Sequence, residues 1–175
     1  EPYLGSMYEK VSYDQIYDEH IFMFSTTSVK KIFNMFGFDL IDVVPQNTHG
    51  GSMRYFFSRD KKQDESVEKY LEIEDQYSVK NSETYLNFKN DSISICENLK
   101  RFLESKKSEG ASICGYGATA KSATILNFAK IDSSLISCIY DSTPIKINKL
   151  TPGSHILIKN PEEFVNDAYD YTVLF

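Results

Sequence analysis

The sequence contains no tryptophan, only three cysteines and no long basic run. No apolar run approaches the roughly 18 residues that a membrane-spanning helix requires. No signal peptide opens the sequence. We therefore expect no membrane partner and a cytoplasmic location.

The charge balance is acidic, with 25 acidic and 19 basic residues and a net charge of -6. Basic clusters are no longer than pairs such as Lys61-Lys62 and Lys106-Lys107, and acidic residues lie close to both. A nucleic-acid-binding surface needs a basic patch or stripe. The charge pattern therefore argues against nucleic acid as a partner.

The three cysteines, Cys96, Cys114 and Cys138, stand far apart and form no CxxC pair. Cys114 and Cys138 lie in apolar runs that are typical of buried strands. Isolated buried thiols indicate a reducing compartment rather than a disulfide framework. We expect no metal site within this chain.

Apolar and aromatic side chains are abundant, at 41% and 14% of the residues, which predicts a folded, globular protein. The length of 175 residues fits one domain, or one small domain with part of another. The first ten residues carry no helix-cap signal, and the apolar run 171–175 stops within a predicted strand. From these ends we expect a fragment of a longer protein.

The residue pattern predicts an α/β fold in three regions, 1–60, 61–107 and 108–175. The first contains a helix that Thr26 or Thr27 caps and Gly37 closes. The other predicted elements are strands 38–44 and 52–58, a connector helix within 60–80, a helical stretch over 81–107, strands 111–114, 136–140, 155–158 and 171–175, and helices 118–129 and 161–165. Alternating strands and helices after residue 110 predict a parallel sheet.

A glycine-rich turn follows the predicted strand 111–114 and opens a helix. It comprises Gly115, Tyr116, Gly117 and Ala118, with Lys121 three residues further on. Glycines let a phosphate approach the backbone, where unpaired amides and the positive end of the helix attract an anion. The turn therefore predicts a nucleotide-binding domain, and a tight turn that binds nothing is the alternative.

Asp141 ends the next apolar run, and its position allows two roles. It can accept a hydrogen bond from a ribose hydroxyl, as the acid there does in dinucleotide-binding folds. It can equally form a turn before Pro144. Because Ala120 satisfies the last position of the GxGxxG/A pattern, a non-catalytic nucleotide- or NAD-binding module is an alternative function.

The segment Tyr17-Asp18-Glu19-His20 places a phenol, two carboxylates and an imidazole within four residues. Imidazole titrates near neutral pH, and neighbouring acids and phenols can orient it and tune its pKa. The segment is thus a candidate for proton transfer. A solvated turn that carries a histidine by chance is the alternative.

The segment from Thr48 to Arg54 contains His49, Gly50, Gly51 and Ser52 between two predicted strands. Paired glycines followed by a hydroxyl can wrap a polar ligand, and a β-hairpin turn explains the glycines equally well. His155 follows a turn and enters a strand, so we expect it to be structural.

In this order the segments resemble the S-adenosylmethionine-dependent sugar-nucleotide C-methyltransferases, which branch deoxysugars. The blocks that carry the resemblance are Tyr17-Asp18-Glu19-His20 with Phe24-Ser25, then Thr48-His49-Gly50-Gly51-Ser52, then Gly115 to Lys121 with Leu126-Asn127, then Asp141-Ser142-Thr143-Pro144 and Pro152-Gly153-Ser154-His155-Ile156. The likeness covers nearly the whole chain. It departs from the family at Asp18, where histidine is usual.

The resemblance implies that the chain begins inside a methyl-donor-binding Rossmann domain, continues through linker helices and ends in a Rossmann-like domain that helps hold a nucleotide-diphosphate sugar. The family's zinc-binding N-terminal module would lie outside this chain, as would the glycine-rich strand that grips S-adenosylmethionine. The chain alone is therefore not expected to methylate a substrate. The sequence does not fix an oligomeric state, and a monomer is favoured.

The resemblance also implies roles for individual residues. His20 would be the general base that removes a proton beside the ketone of a nucleotide-linked 4-keto deoxysugar, with Glu19 and Tyr17 as supporting groups. The groups that would contact substrate are Gly115, Tyr116, Gly117, Ala118 and Lys121 at the diphosphate, and His49, Gly51 and Ser52 at the sugar or its phosphates. Asp141 would serve the same nucleotide site.

Overall fold

The computed structural model describes the backbone of all 175 residues and every side chain except that of His49. Its internal contacts divide the chain into two compact units, Glu1–Ser92 and Ile93–Phe175. The predicted boundaries after residues 60 and 107 stay predictions. Each unit is described by itself.

The first unit contains helices on one two-stranded antiparallel sheet. In chain order its elements are helix α1 (Leu4–Lys10), a 3-10 turn (Tyr13–Gln15), helix α2 (Thr26–Asn34), strand β1 (Asp39–Gln46), a 3-10 turn (Thr48–Gly50), strand β2 (Ser52–Ser58) and helix α3 (Glu65–Gln76). Helix α4 (Ser82–Ser108) begins in this unit, and the boundary between the two units falls within the helix. The sequence did not predict α1.

Hydrophobic alternation along β1 and β2 builds the core of the first unit. Leu40 and Val43 of β1 and Met53 of β2 are at most 2% exposed, and they pack with Tyr3 and Val67. Strand residues two apart share a face, so Met53 and Tyr55 turn inward while Arg54 between them is exposed. The hairpin therefore presents one apolar face and one polar face.

The amino end of α2 is fully satisfied by protein groups. Ser25 caps the helix and shares a reciprocal capping box with Ser28. The buried carboxylate of Glu74 accepts the backbone N–H groups of Thr26 and Thr27. A negative charge at this end also suits the helix dipole. Glu74 thereby joins α3 to α2.

The second unit contains a four-stranded parallel sheet. Its elements are strand β3 (Ile113–Tyr116), helix α5 (Ala120–Ala129), strand β4 (Cys138–Tyr140), strand β5 (Leu157–Lys159), helix α6 (Pro161–Phe164) and strand β6 (Tyr171–Leu174). The strands lie side by side as β5-β4-β3-β6, and all neighbours are parallel. Counted within the unit this order is 3-2-1-4, as in Rossmann folds. The predicted α/β fold with a parallel sheet is confirmed.

The prediction of a strand at 111–114 was two residues too early. β3 runs to Tyr116, so Gly115 lies inside the strand and the turn begins at Gly117. A Cβ on Gly115 would come within 2.9 Å of the side chains of Ile139 and Phe175. Glycine is therefore needed here for close packing between neighbouring strands. The prediction of helix 118–129 was also early, because Thr119 is the cap of α5 and not part of it.

Cys114 and Cys138 are buried in the adjacent strands β3 and β4, as predicted. Each thiol has a hydroxyl neighbour at 3.3 Å, on Thr172 and Tyr169 respectively. Burial raises the pKa of Cys114. A buried, protonated thiol is a packing group rather than a nucleophile.

Candidate functional site

The imidazole of His20 is held at both ring nitrogens. Its Nδ1 lies 2.8 Å from the backbone oxygen of Gln15, and its Nε2 lies 2.9 Å from the hydroxyl of Tyr17. A carbonyl oxygen can only accept, so Nδ1 carries a proton and Nε2 is the acceptor in the neutral ring. This is the tautomer in which Nε2 can take up a proton.

Tyr17 is the donor of the bond to Nε2. Burial, followed by the charges of Glu19, Asp18 and Asp14, raises the pKa of Tyr17 above its usual value. Its hydroxyl therefore keeps its proton, and its ring lies 4.1 Å from the imidazole ring between centroids. Glu19 is exposed, and its charge is one cause of the raised pKa of Tyr17.

The first three residues connect the two predicted motifs of this unit. The backbone N–H of Met53 donates to the oxygen of Glu1 at 2.9 Å, and that of Tyr3 donates to Gly51 at 3.3 Å. On their other side, Leu4 donates to Phe24 at 2.9 Å. The segment that follows His20 is thereby held beside the start of β2.

His20 and the segment around Ser52 consequently share one cleft. The cleft has a volume of about 470 Å³ and is lined by Glu1, Pro2, His20, Gln46, Thr48, Ser52, Met53 and Arg54. The hydroxyl of Ser52 donates to the backbone oxygen of Thr48 at 3.2 Å, which leaves its lone pairs available. The residues that line this cleft therefore carry an imidazole, hydroxyls, an amide, a carboxylate and a guanidinium.

Gly51 is buried, with a φ of 133° that side chains rarely adopt. A Cβ on Gly51 would lie 2.5 Å from the Cβ of Ser6 in α1. The predicted need for glycine thus has a packing cause, the close approach of α1. The backbone of His49 lies in the 3-10 turn before Gly51, and its side chain is outside the described residues.

The glycine turn of the second unit lies at the carboxyl end of β3. Gly117 has a φ of 95°, and its N–H donates to the oxygen of Tyr140 in β4 at 2.7 Å. Thr119 caps α5 through the N–H of Ser122. Lys121 lies in the first turn of α5, beside the positive end of the helix. The ring of Tyr116 packs against Phe164, 5.6 Å between centroids.

This turn lies at the topological switch point of the sheet, where the chain connections leave β3 toward opposite sides. From β3 the chain continues to β4 on one side, and β6 later returns to the other side of β3. In open α/β sheets, ligands bind at the carboxyl ends of strands at this switch point. Gly117 and Ala118 lie at this position, but their N–H groups already donate to Tyr140 and Asp141. The unpaired amides expected from the sequence are therefore not found at these two residues.

Asp141 stabilises the turn through two hydrogen bonds. Its Oδ2 accepts the N–H of Ala118 at 2.8 Å, and its Oδ1 accepts that of Thr143 at 2.8 Å. Burial acts to raise the pKa of Asp141, but the bonds from Thr143, the charge of Lys146 and the Ala118 bond together lower it. At 6% exposure it offers little surface to a ribose. The geometry favours the turn-forming alternative.

Two cationic residues near these sites were not assigned roles from the sequence. Arg54 lines the cleft of His20. Lys146 donates to the backbone oxygen of Ala118 at 2.8 Å and pairs with Asp141 at 3.7 Å. Arg54 is the last residue of the segment Thr48 to Arg54, which the sequence singles out without giving Arg54 a role. For Lys146 the nearby Asp141 was a local signal, whereas its bond to Ala118 spans 28 residues.

Among the helices that the structure describes, none has the length and apolarity needed to cross a membrane. The described side chains include no group of three or more His, Cys, Asp or Glu residues placed to hold a metal ion. In Glu1–Ser92 the glycines lie in α1 and in turns at 37 and 50–51, so no described glycine turn leads from a strand into a helix. The described residues of Glu1–Ser92 thus lack the glycine-rich strand-to-helix turn that the resemblance associates with the methyl donor.

The parallel sheet in order 3-2-1-4, with a glycine turn at its switch point, defines a Rossmann-like class of domain. Comparison with known proteins makes the class specific. The family model described as the C-methyltransferase C-terminal domain matches residues 47–175. The chain belongs to this family.

A curated relative is the C-methyltransferase NovU of Streptomyces niveus, which is 27% identical over 176 aligned positions. The alignment covers 99% of this chain and 42% of NovU. The chain thus spans less than half the length of this relative. The relative also extends the likeness to residues 1–46, which contain His20.

Proposed function

We propose that the chain is the C-terminal part of an enzyme that transfers a methyl group from S-adenosylmethionine to a carbon beside the ketone of a nucleotide-linked 4-keto deoxysugar. The match to the C-methyltransferase C-terminal domain supports methyl transfer to carbon. The relative NovU is itself a C-methyltransferase, which supports the same reaction type. The donor and the sugar nucleotide are part of the proposal.

The observation that carries the proposal is the state of His20 in its cleft. Nδ1 is fixed by Gln15, so Nε2 is the basic atom, and the cleft beside it is large enough for a sugar ring. A ketone acidifies the adjacent C–H bond, and a base that titrates near neutral pH suits this proton transfer. In the reaction Tyr17 must give up its bond to Nε2 to expose the lone pair.

The remaining groups are assigned to binding. Gly51 shapes the wall of the cleft, and Ser52 and His49 contact the sugar or its phosphates. In the second unit, Gly115 to Ala118 and Lys121 hold the diphosphate, while Asp141 acts through the turn that it braces. No residue of this chain is assigned to S-adenosylmethionine, because the described residues of Glu1–Ser92 contain no glycine-rich strand-to-helix turn.

Solvent isotope exchange tests the proposal in the full-length protein. With a thymidine-diphosphate-linked 4-keto-6-deoxyhexose in D2O and no methyl donor, the wild type should exchange the proton beside the ketone. His20→Ala should lose this exchange by 10²-fold or more, on the order of a general base's contribution. His155→Asn, a histidine change in the other unit, should leave it intact. Undiminished exchange in His20→Ala would refute His20 as the base.

The strand order and the Ala120 position also suit a non-catalytic nucleotide- or NAD-binding module. The near-complete burial of Asp141 counts against NAD, because the acid at this position must reach a ribose. Calorimetry with thymidine diphosphate and with NAD separates the two. Tighter binding of NAD would favour the module.

A further inference from the structure

The backbone of Arg54 is held in strand β2, beside the cleft of His20. Its backbone belongs to β2, where it pairs with Val44 of β1. The preceding residue, Met53, is bonded to Glu1 and is 2% exposed. Arg54 is exposed between the inward Met53 and Tyr55, and it is one of the residues that line the cleft.

The guanidinium of Arg54 is available to a ligand. Within the described part of the chain, the other two arginines are engaged: Arg59 lies 4.4 Å from the ring centre of Phe38, and Arg101 donates to Asn98 at 2.6 Å. Arg54 has no such partner there. Nearby, Lys10 is already bound to the backbone oxygen of Gly50 at 2.7 Å.

Among the described residues that line the cleft, Arg54 is the one cationic side chain. The enolisation that His20 would catalyse moves negative charge onto the ketone oxygen. That oxygen is two bonds from the carbon that loses its proton, so it must lie in the same cleft as Nε2. A cation or hydrogen-bond donor placed against a developing oxyanion makes a large contribution to catalysis.

We propose that Arg54 is a further catalytic residue, whose guanidinium binds the ketone oxygen and stabilises the enolate formed when His20 removes the adjacent proton. In this step the C–H bond breaks, the proton moves to Nε2, and the electron pair forms a C=C bond while the C=O pair moves to oxygen. Reversal in D2O restores the ketone with deuterium, and no other reactant is consumed. The inference rests on the proposed function, since that reaction forms the enolate.

Exchange and binding measured together in the full-length protein test this role. In Arg54→Gln, exchange in D2O without a methyl donor should fall about 10²- to 10³-fold. The Kd for thymidine diphosphate should stay within about twofold of wild type by calorimetry, since charge on the oxyanion is absent in the ground state. Arg54→Lys should recover part of the loss, because lysine keeps the charge without the planar fork. Arg101→Gln is the matched control and should behave as wild type.

Chemical rescue provides a measurement whose result would not change if Arg54 had only a structural role. Added guanidinium at millimolar concentration should raise the exchange rate of Arg54→Ala and leave that of His20→Ala unchanged. Exchange in Arg54→Gln at the wild-type rate would overturn the inference, as would a weakening of thymidine diphosphate binding in parallel with the rate, which would make Arg54 a diphosphate contact. If the wild type itself exchanged no proton, the proposed function would fail and this inference with it. Loss in His20→Ala but not in Arg54→Gln would overturn the role of Arg54 alone.

Discussion

Removing the carboxylate of Glu74 should strongly destabilise helix α2, because this one side chain accepts two N–H groups at the start of the helix. Glu74 is fully buried, and its Oε1 and Oε2 accept the N–H groups of Thr26 and Thr27, at 2.5 and 2.8 Å. Hydrogen bonds to charged groups contribute about 1.5–3 kcal/mol each. Glu74→Ala removes both bonds and leaves the buried donor of Thr26 unpaired, which we expect to cost about 3–5 kcal/mol.

Glu74→Gln is the informative intermediate. Its amide oxygen can still accept one N–H, while its NH2 group faces the other donor, so we expect a cost of about 1.5–3 kcal/mol. Glu72→Ala, at an exposed position of the same helix α3, should stay within about 0.5 kcal/mol. We therefore expect the loss of stability to be largest in Glu74→Ala, intermediate in Glu74→Gln and smallest in Glu72→Ala.

Hydrogen exchange followed by mass spectrometry reads this effect locally. A cost of about 3 kcal/mol corresponds to roughly 100-fold faster exchange of the α2 amides when exchange follows local opening. Equal protection of α2 in Glu74→Ala and Glu72→Ala would refute the reasoning. So would a larger effect of Gln than of Ala, because it would mean that repulsion rather than lost bonding dominates.

Three further outcomes follow from the second unit. The pKa of Asp141 is lowered in the folded protein. The stability that Asp141 contributes should therefore be complete above its unfolded pKa of about 3.9 and should be lost as the pH falls through the lower folded value. In Tm measurements at a series of pH values, Asp141→Asn should lack this part of the acid dependence. Gly153→Ala should cost about 1–3 kcal/mol in urea unfolding, since φ is 75° and the new Cβ would collide with the side-chain amide of Asn127, and Asn127→Ala should relieve part of that cost in the double variant. Gly117→Ala should weaken thymidine diphosphate binding about tenfold by calorimetry through strain at a φ of 95°, and unchanged affinity would contradict a phosphate role for this turn.

Local sequence signals were sufficient for the elements whose causes are local. The alternation of the second unit predicted a parallel sheet because each apolar run and each helical stripe is contiguous in sequence. The end of β3 was placed wrongly, since Gly115 looks like a turn residue until its packing against Ile139 and Phe175 is known. Helix α1 went unpredicted because it has no side-chain cap, as Tyr3 precedes it.

The candidate sites also divide into features with local causes and features that depend on distant residues. The Tyr17 and His20 pair is three residues apart, so their contact could be predicted from spacing alone. The cleft that brings His20 beside Ser52 depends on the pairing of residues 1–3 with distant backbone, which no local pattern reveals. For Asp141 the sequence left two roles open, and only the contact with Ala118 across 23 residues distinguishes them.

The backbone bonds of the first four residues to Met53, Gly51 and Phe24 have a practical consequence for dissecting the protein. These bonds, the zipper of this chain, join the segment after His20 to the start of β2. An expression fragment whose first residue falls after Tyr3 would keep His20, Ser52 and Arg54 and still lose the alignment of all three. Tags, fusion joints and protease sites for studies of this cleft therefore belong upstream of Glu1, where the backbone bonds of the zipper remain undisturbed.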